Sequence, residues 1–189
     1  RPLPFPGERI RVHLTPPTFR FIDQKGTAFS LEDMRGRVVL ATGIYATCSL
    51  TCPEILRETT ALLESLPPGA RERVSVVALS LNPEDDSEEL RERVTAGYGF
   101  RHTEFRYLNG EPKAMHAMLT QLGFAHAKNP RTGVIEHANL FLLIDARGQI
   151  AYRFTLDPRR RSWLREALAA LAAEAAPAPL VPATAEGGE

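Results

Sequence analysis

Two long apolar runs restrict this chain more than anything else in it. "RVVLATGIY" (37–45) and "RVSVVALSL" (73–81) are rich in β-branched residues and show no clean apolar–polar alternation. Strands buried on both faces read that way. Between them Ile55, Thr59, Leu62, Leu63 and Leu66 form one apolar stripe at helical spacing. Pro53 suits the first turn of that helix, and Glu54 complements its positive end. Two buried strands joined by a helix imply a parallel crossover in a sheet covered by helices.

The remaining segments extend the pattern. "PTFRFIDQKGTAFSL" reads as a hairpin turning at Lys25 and Gly26. "SEELRERVTAGYG" reads as a helix capped by Ser87, with Leu90, Val94 and Tyr98 on its inner face. "TEFRYL" is a short strand. "EPKAMHAMLTQLG" is a helix that turns Met115, Met118, Leu119 and Leu122 inward and ends at Gly123. "NLFLLID" and "QIAYRF" form a hairpin across "ARG". Asp157 and Pro158 are expected to open a last helix, with Trp163, Leu164, Leu168 and Leu171 inward. The order fits an α/β thioredoxin-like three-layer fold, a central mixed β-sheet with helices on both faces.

At 189 residues the chain suits one domain with short appendages. Residues 1–16, rich in proline, are read as an extended leader or linker. Residues 17–175 are read as the domain, and 176–189 as a disordered tail. With 23 basic and 23 acidic residues the formal net charge is zero. The two signs are interleaved, which argues against a nucleic-acid partner. No apolar run approaches the roughly 18 residues of a membrane span. The chain opens at Arg1 without an initiator methionine, so a processed form is expected, with any signal or anchor outside it. The arginines from Arg159 to Arg161 read as a solvated face or a weak contact for an acidic partner or lipid.

The chain's two cysteines stand four positions apart in "TCSLTCPE". Cys48 and Cys52 follow the carboxyl end of a central strand and open a helix, an edge where open α/β sheets bind ligands. Helix-start N–H groups favour thiolate over thiol. A closed loop this short gives little stability, so a structural staple is the weaker reading. At i, i+4 on a helix the Cβ atoms stand about 5–6 Å apart, farther than the roughly 3.5–4.5 Å of a disulfide. Pro53 discourages helical angles at Cys52, so the pair is also compatible with a looser loop that serves both states. The extra spacer residue relative to C-x-x-C favours chelation.

Two sulfurs leave a metal site incomplete. Cu(I) prefers thiolates and imidazole suits Cu(II), so a histidine at the same sheet edge is sought. His13 lies in the leader, His102 after a loop, His116 on a helix pointing away from its core stripe. His126 lies in a basic, proline-containing loop. His137 directly precedes the strand "NLFLLID" at a sheet end. Residue types alone do not single out one of the five. Met115 and Met118 have core spacing and Met34 is expected to pack under the first helical turn, so none of the three reads as a ligand.

With those residues placed, the chain resembles the Sco/SenC family of copper chaperones over roughly residues 17–155. The resemblance rests on the opening hairpin and first buried strand, on "YATCSLTCPEIL", on "ALSLNPEDDSEEL" and on "VIEHANLFLLID". It implies copper, as Cu(I) or Cu(II), held by Cys48, Cys52 and His137, with Cys48 and Cys52 doubling as a redox pair. It implies delivery of copper to the binuclear copper site of cytochrome c oxidase, or reduction of that site's cysteines. The implied partners are the copper-accepting oxidase subunit or another copper chaperone, and a thiol reductant. The implied location is the periplasmic or intermembrane-space side of a membrane, with contact only through an anchor missing from this chain.

Departures from the family pattern stand at Ser49, Leu50 and Thr51 between the cysteines. Others are Asn82 where an aspartate is common and Glu136 where an aspartate usually precedes the histidine. Glu136 reads first as a solvated residue, and second as one that could orient the His137 ring. A metal-independent thiol–disulfide oxidoreductase using Cys48 and Cys52 is the main alternative. Its usual cis-proline would fall near Asn139, where there is none. A peroxidase reading needs a proline at Tyr45 and is weaker still.

Overall fold

In the computed structural model, residues 4–49, 51–101, 104–155, 157–158 and 160–175 are described. His102, Leu50, Arg159 and the 176–189 tail, all named above, lie outside them. The elements run β1 (Phe21–Ile22), β2 (Ala28–Phe29), β3 (Val38–Ile44), α1 (Thr51–Glu64), α2 (Pro68–Arg71), β4 (Val74–Ser80), α3 (Glu88–Gly97) and β5 (Phe105–Leu108). They continue with α4 (Pro112–Leu122), β6 (His126–Lys128), β7 (Ile135–His137), β8 (Leu140–Ile144), β9 (Ile150–Thr155) and α5 (Arg161–Glu174).

The central sheet has the order β5-β4-β3-β8-β9. β3, β4 and β5 are parallel, while β8 runs antiparallel to both β3 and β9. Every residue of β3 and β4 is buried, so both sheet faces are covered, as the two apolar runs require. α1 and α3 are the crossovers that let β3, β4 and β5 lie parallel. The mixed, helix-covered sheet is the expected one. Gly43 in the middle of this sheet makes room for its neighbours: a Cβ there would stand 2.8 Å from Leu81 Cδ2 and 3.1 Å from Phe124 Cδ1.

The first hairpin turns with Gly26 at φ 75°, and α4 ends on Gly123 at φ 88° with its four expected side chains buried. Three expectations change. α5 begins at Arg161 rather than at Asp157, because Asp157 O accepts from Arg160 N–H (2.9 Å) in a turn that precedes the helix. α3 fully buries Arg91 and Thr95, while Leu90, Val94 and Tyr98 are half-buried. Arg91 can go inside because its guanidinium donates to the carbonyls of Asp86 (2.6 Å), Asp23 (3.0 Å) and Tyr107 (3.2 Å). Finally, the stretch read as a loop around His126 contains the ribbon β6–β7. Near the amino end, Val12 N–H donates to Ala151 O (2.8 Å), Leu14 bridges Ile150 beside β9, and Arg11 pairs with Asp145 (3.2 Å) and Glu174 (2.8 Å).

Candidate metal centre

The topology decides which side chains can meet. β8 enters the sheet antiparallel to β3, with Phe141 opposite Thr42. The chain leading into β8 therefore arrives at the carboxyl end of β3, where the cysteine loop begins. That is why His137, 85 positions after Cys52, reaches it.

Beyond β3 the backbone turns at once, with Cys48 N–H donating to Tyr45 O at 3.1 Å. Cys48 is half-buried in this loop and Cys52 is the second residue of α1, 3% exposed. The pair thus does not share one helical face; Cys48 sits on the looser loop. Cys52 N–H, one of the helix-start donors without an intrahelical partner, donates to Cys48 Sγ at 3.3 Å. That contact and the positive helix end both favour a Cys48 thiolate.

The His137 Nε2 atom lies 3.9 Å from Cys52 Sγ. One donor atom from each of Cys48, Cys52 and His137 can be chosen so that all lie within 4.8 Å of one another, a group of this kind found once among the described residues. Ligands about 2.3 Å (sulfur) and 2.0 Å (nitrogen) from one ion stand roughly 3.7–4.0 Å apart in a trigonal plane. The 3.9 Å between Cys52 Sγ and His137 Nε2 falls in that range, and the third ligand atom lies within 4.8 Å of both.

The ring of His137 is set for ligation. Its Nδ1–H donates to Ala138 O at 3.3 Å, which leaves the Nε2 lone pair facing the sulfurs. Burial pushes the ring's pKa below the usual histidine value, so it is neutral at neutral pH. The Ala138 carbonyl orients the ring, and Glu136 is exposed, as its reading as a solvated residue expects. Tyr45 packs edge-on against the ring at 6.0 Å between centroids, and its hydroxyl accepts from Ile135 N–H at 3.4 Å. Burial, and after it the neighbouring Cys48, hold the Tyr45 phenol protonated above its ordinary range.

Cys48 opens into a cleft of about 690 Å³ that is also lined by Tyr45, Ser49, Asn82, Lys128 and Val134. Asn82, one of the departures, therefore borders the centre. Every described peptide bond is trans, including the one at Asn139. His13 is exposed and far along the chain. His116 and His126 bond to each other at 2.8 Å, outside the cysteine group.

One residue beneath the loop was not singled out by the sequence. Asp86 is 1% exposed. Its Oδ2 accepts from the hydroxyls of Ser80 (2.7 Å) and Tyr107 (2.7 Å), and its Oδ1 accepts from Ala46 N–H (3.0 Å). It thereby fastens the start of the cysteine loop to β4 and β5. "SLNPEDDSEEL", one of the segments that carry the family resemblance, contains it, but residue type alone does not separate it from its solvated acidic neighbours.

A family model described as SCO1/SenC matches residues 9–172. The chain belongs to the SCO1/SenC family. It is 26% identical over 134 residues to the SCO1 protein homolog of Bacillus subtilis, covering 70% of this chain and 69% of that one. Among solved structures it is similar to copper-bound ScoI of Bradyrhizobium japonicum, with TM-score 0.70, 21% identity, and 86% and 99% of the two chains covered. It is also similar to BsSco, described as having a disulfide switch and as a member of the Sco family of cytochrome c oxidase assembly proteins. There the TM-score is 0.71 at 22% identity, covering 86% and 96%. These two likenesses bear on the fold of the SCO1/SenC chain, whose mixed sheet they share.

Proposed function

We propose that this SCO1/SenC protein is a copper metallochaperone whose cargo is held by Cys48, Cys52 and His137. The observation that carries the reading is the convergence of two sulfurs and one imidazole nitrogen within 4.8 Å at the end of β3. Thiolates suit Cu(I), and a carbonyl-oriented neutral imidazole suits Cu(II). Binding displaces the thiol protons, so it needs the reduced pair and weakens as pH falls. With three protein ligands and an open cleft beside Cys48, a partner's sulfurs can replace the ligands one at a time. The copper-accepting subunit of cytochrome c oxidase is the proposed recipient, on the periplasmic or equivalent side of a membrane.

The test is an anaerobic titration of the reduced chain with Cu(I) and Cu(II). One ion per chain is expected, lost in Cys48→Ser and in Cys52→Ser. His137→Ala is expected to weaken Cu(II) more than Cu(I), because two thiolates still hold Cu(I). Full Cu(II) affinity in His137→Ala would remove that residue from the site.

A second reading, a thiol–disulfide oxidoreductase, is favoured by one feature: the helix-start N–H aimed at Cys48 Sγ. If no copper binds beyond the level of the cysteine variants, that reading stands, and the reduction potential of the pair becomes its measure.

A further inference from the structure

A second group of nitrogens lies one strand away from the cysteines. His126 in β6 is directly opposite His137 in β7, and directly paired residues project from the same face of a ribbon. The ring of His126 has its Nδ1–H taken by Phe124 O at 2.7 Å. Its Nε2 lone pair is therefore left on the side away from that carbonyl, the same arrangement that Ala138 O imposes on His137. Across from it stands His116 of α4, with Nδ1 2.8 Å from His126 Nε2. On its other side His116 has Nε2 2.6 Å from Glu84 Oε1. A carboxylate that takes the Nε2–H of His116 leaves Nδ1 with a lone pair.

Each ring thus has its outer nitrogen proton held by an oxygen and its inner nitrogen turned towards the other ring. Carboxylate–histidine and carbonyl–histidine pairs of this kind orient imidazoles around metals. Two lone pairs 2.8 Å apart repel unless a cation lies between them. A proton can serve, and so can a metal ion. Two nitrogens about 2.0–2.1 Å from one ion at a right angle stand roughly 2.8–3.0 Å apart. The rings lie in nearly parallel planes, with an interplanar angle of 8°, and both must turn for their lone pairs to meet at one ion. They border a cavity of about 270 Å³ shared with Asn82 and Lys128, which leaves room for water ligands.

We propose that His116 and His126, oriented by Glu84 and Phe124 O, form a second metal site that binds Cu(II) through nitrogen. It is chemically distinct from the sulfur centre, which favours Cu(I). It borders that centre through the His126–His137 pair, so it suits capture of Cu(II) ahead of the thiolates. The ion displaces the proton shared by the two rings, and no electron is transferred in this step.

The test uses the sulfur-free Cys48→Ser/Cys52→Ser chain, titrated with Cu(II) and read by calorimetry and electron paramagnetic resonance. One ion per chain with hyperfine coupling to two nitrogens is expected. It should be lost in His116→Ala and in His126→Ala, and unchanged by His137→Ala. Glu84→Gln should weaken it about 10–100-fold, the usual loss for a residue that orients a ligand. His116→Gln keeps a hydrogen-bonding side chain on α4 and, with an unchanged melting curve, separates loss of the ligand from loss of the fold. A sulfur-free chain that binds no Cu(II) overturns the proposal. So does a bound ion that is indifferent to both His116 and His126, or one that depends on His137. Failure of the intact chain to bind Cu(I) would instead count against the metallochaperone reading and leave this site standing.

Discussion

The two ends of the segment from Tyr45 to Cys52 are held in opposite ways. At its base the Asp86 carboxylate is sealed inside and receives three donors at 2.7–3.0 Å. At its tip Cys48 Sγ accepts from Cys52 N–H at 3.3 Å and Cys52 Sγ stands 3.9 Å from His137 Nε2, beside an open cleft. The base is built as a saturated polar network, which rigidifies what it touches. The tip is looser, with Cys48 half-buried on a loop and both Cys48 and His137 lining the cleft. A site that must both accept and surrender an ion needs that division: a fixed platform, and ligands that open onto solvent.

The comparison can be broken first at its base. Asp86→Ala leaves the Ser80 and Tyr107 hydroxyls and the Ala46 N–H buried without their acceptor, with the Arg91 charge nearby. A loss of about 3–5 kcal/mol in urea unfolding is expected, the range for breaking a buried charged network. The alkylation rate of Cys48 should change as well, because the loop has lost its anchor. A loss under 1 kcal/mol would mean that the network does not support the loop.

Gly43→Ala strikes the platform from the sheet side. The added methyl meets Leu81 and Phe124 inside van der Waals distance. Overpacking of this kind costs about 1–3 kcal/mol. Phe124 also supplies the carbonyl that orients His126, so the variant should disturb the ribbon as well as the core. A melting curve matching the parent chain would show that the two side chains can step aside.

The base also carries a pH signature. Burial pushes the Asp86 carboxyl above its ordinary range, and the Tyr107 and Ser80 hydroxyls, Ala46 N–H and Arg91 charge offset this only in part. A carboxyl raised in the folded state binds its proton more tightly there than in the unfolded chain. Its contribution is complete below the unfolded value, about 4, and declines as pH rises through the folded value. The stability of the parent relative to Asp86→Asn should therefore grow as pH is lowered from 7 to 4. A difference that stays constant across that range would show that the carboxyl is not raised.

The same contrast explains what could be read from the sequence. β3 and β4 were legible because burial on both faces writes itself as long apolar runs, and α4 because its stripe and its Gly123 cap agree. Cys48 and Cys52 were legible because the chain has no other thiols. His137 was reached through the family resemblance, since its approach depends on β8 running antiparallel to β3. Strands of three residues such as β6 and β7 are too short to show an alternation. The buried polar residues left no trace either. Asp86 and Arg91 sit among acidic and basic neighbours that are solvated, and tertiary placement alone selects them.

The smallest stability effect is expected at the tip, where the functional effect is largest. Cys48 is half-buried on a loop, and Cys52 N–H, which donates to its sulfur, can bond a serine hydroxyl instead. Cys48→Ser keeps the side chain's size and loses only part of a contact with the core, so it should change unfolding free energy by no more than about 1 kcal/mol, while abolishing copper binding. Unfolding curves and copper titrations on one preparation check both halves together. A loss of several kcal/mol would make Cys48 part of the platform and erase the distinction between base and tip. Near-parent stability with no copper bound would show that the loop holds its form without its ligand, ready before the ion arrives.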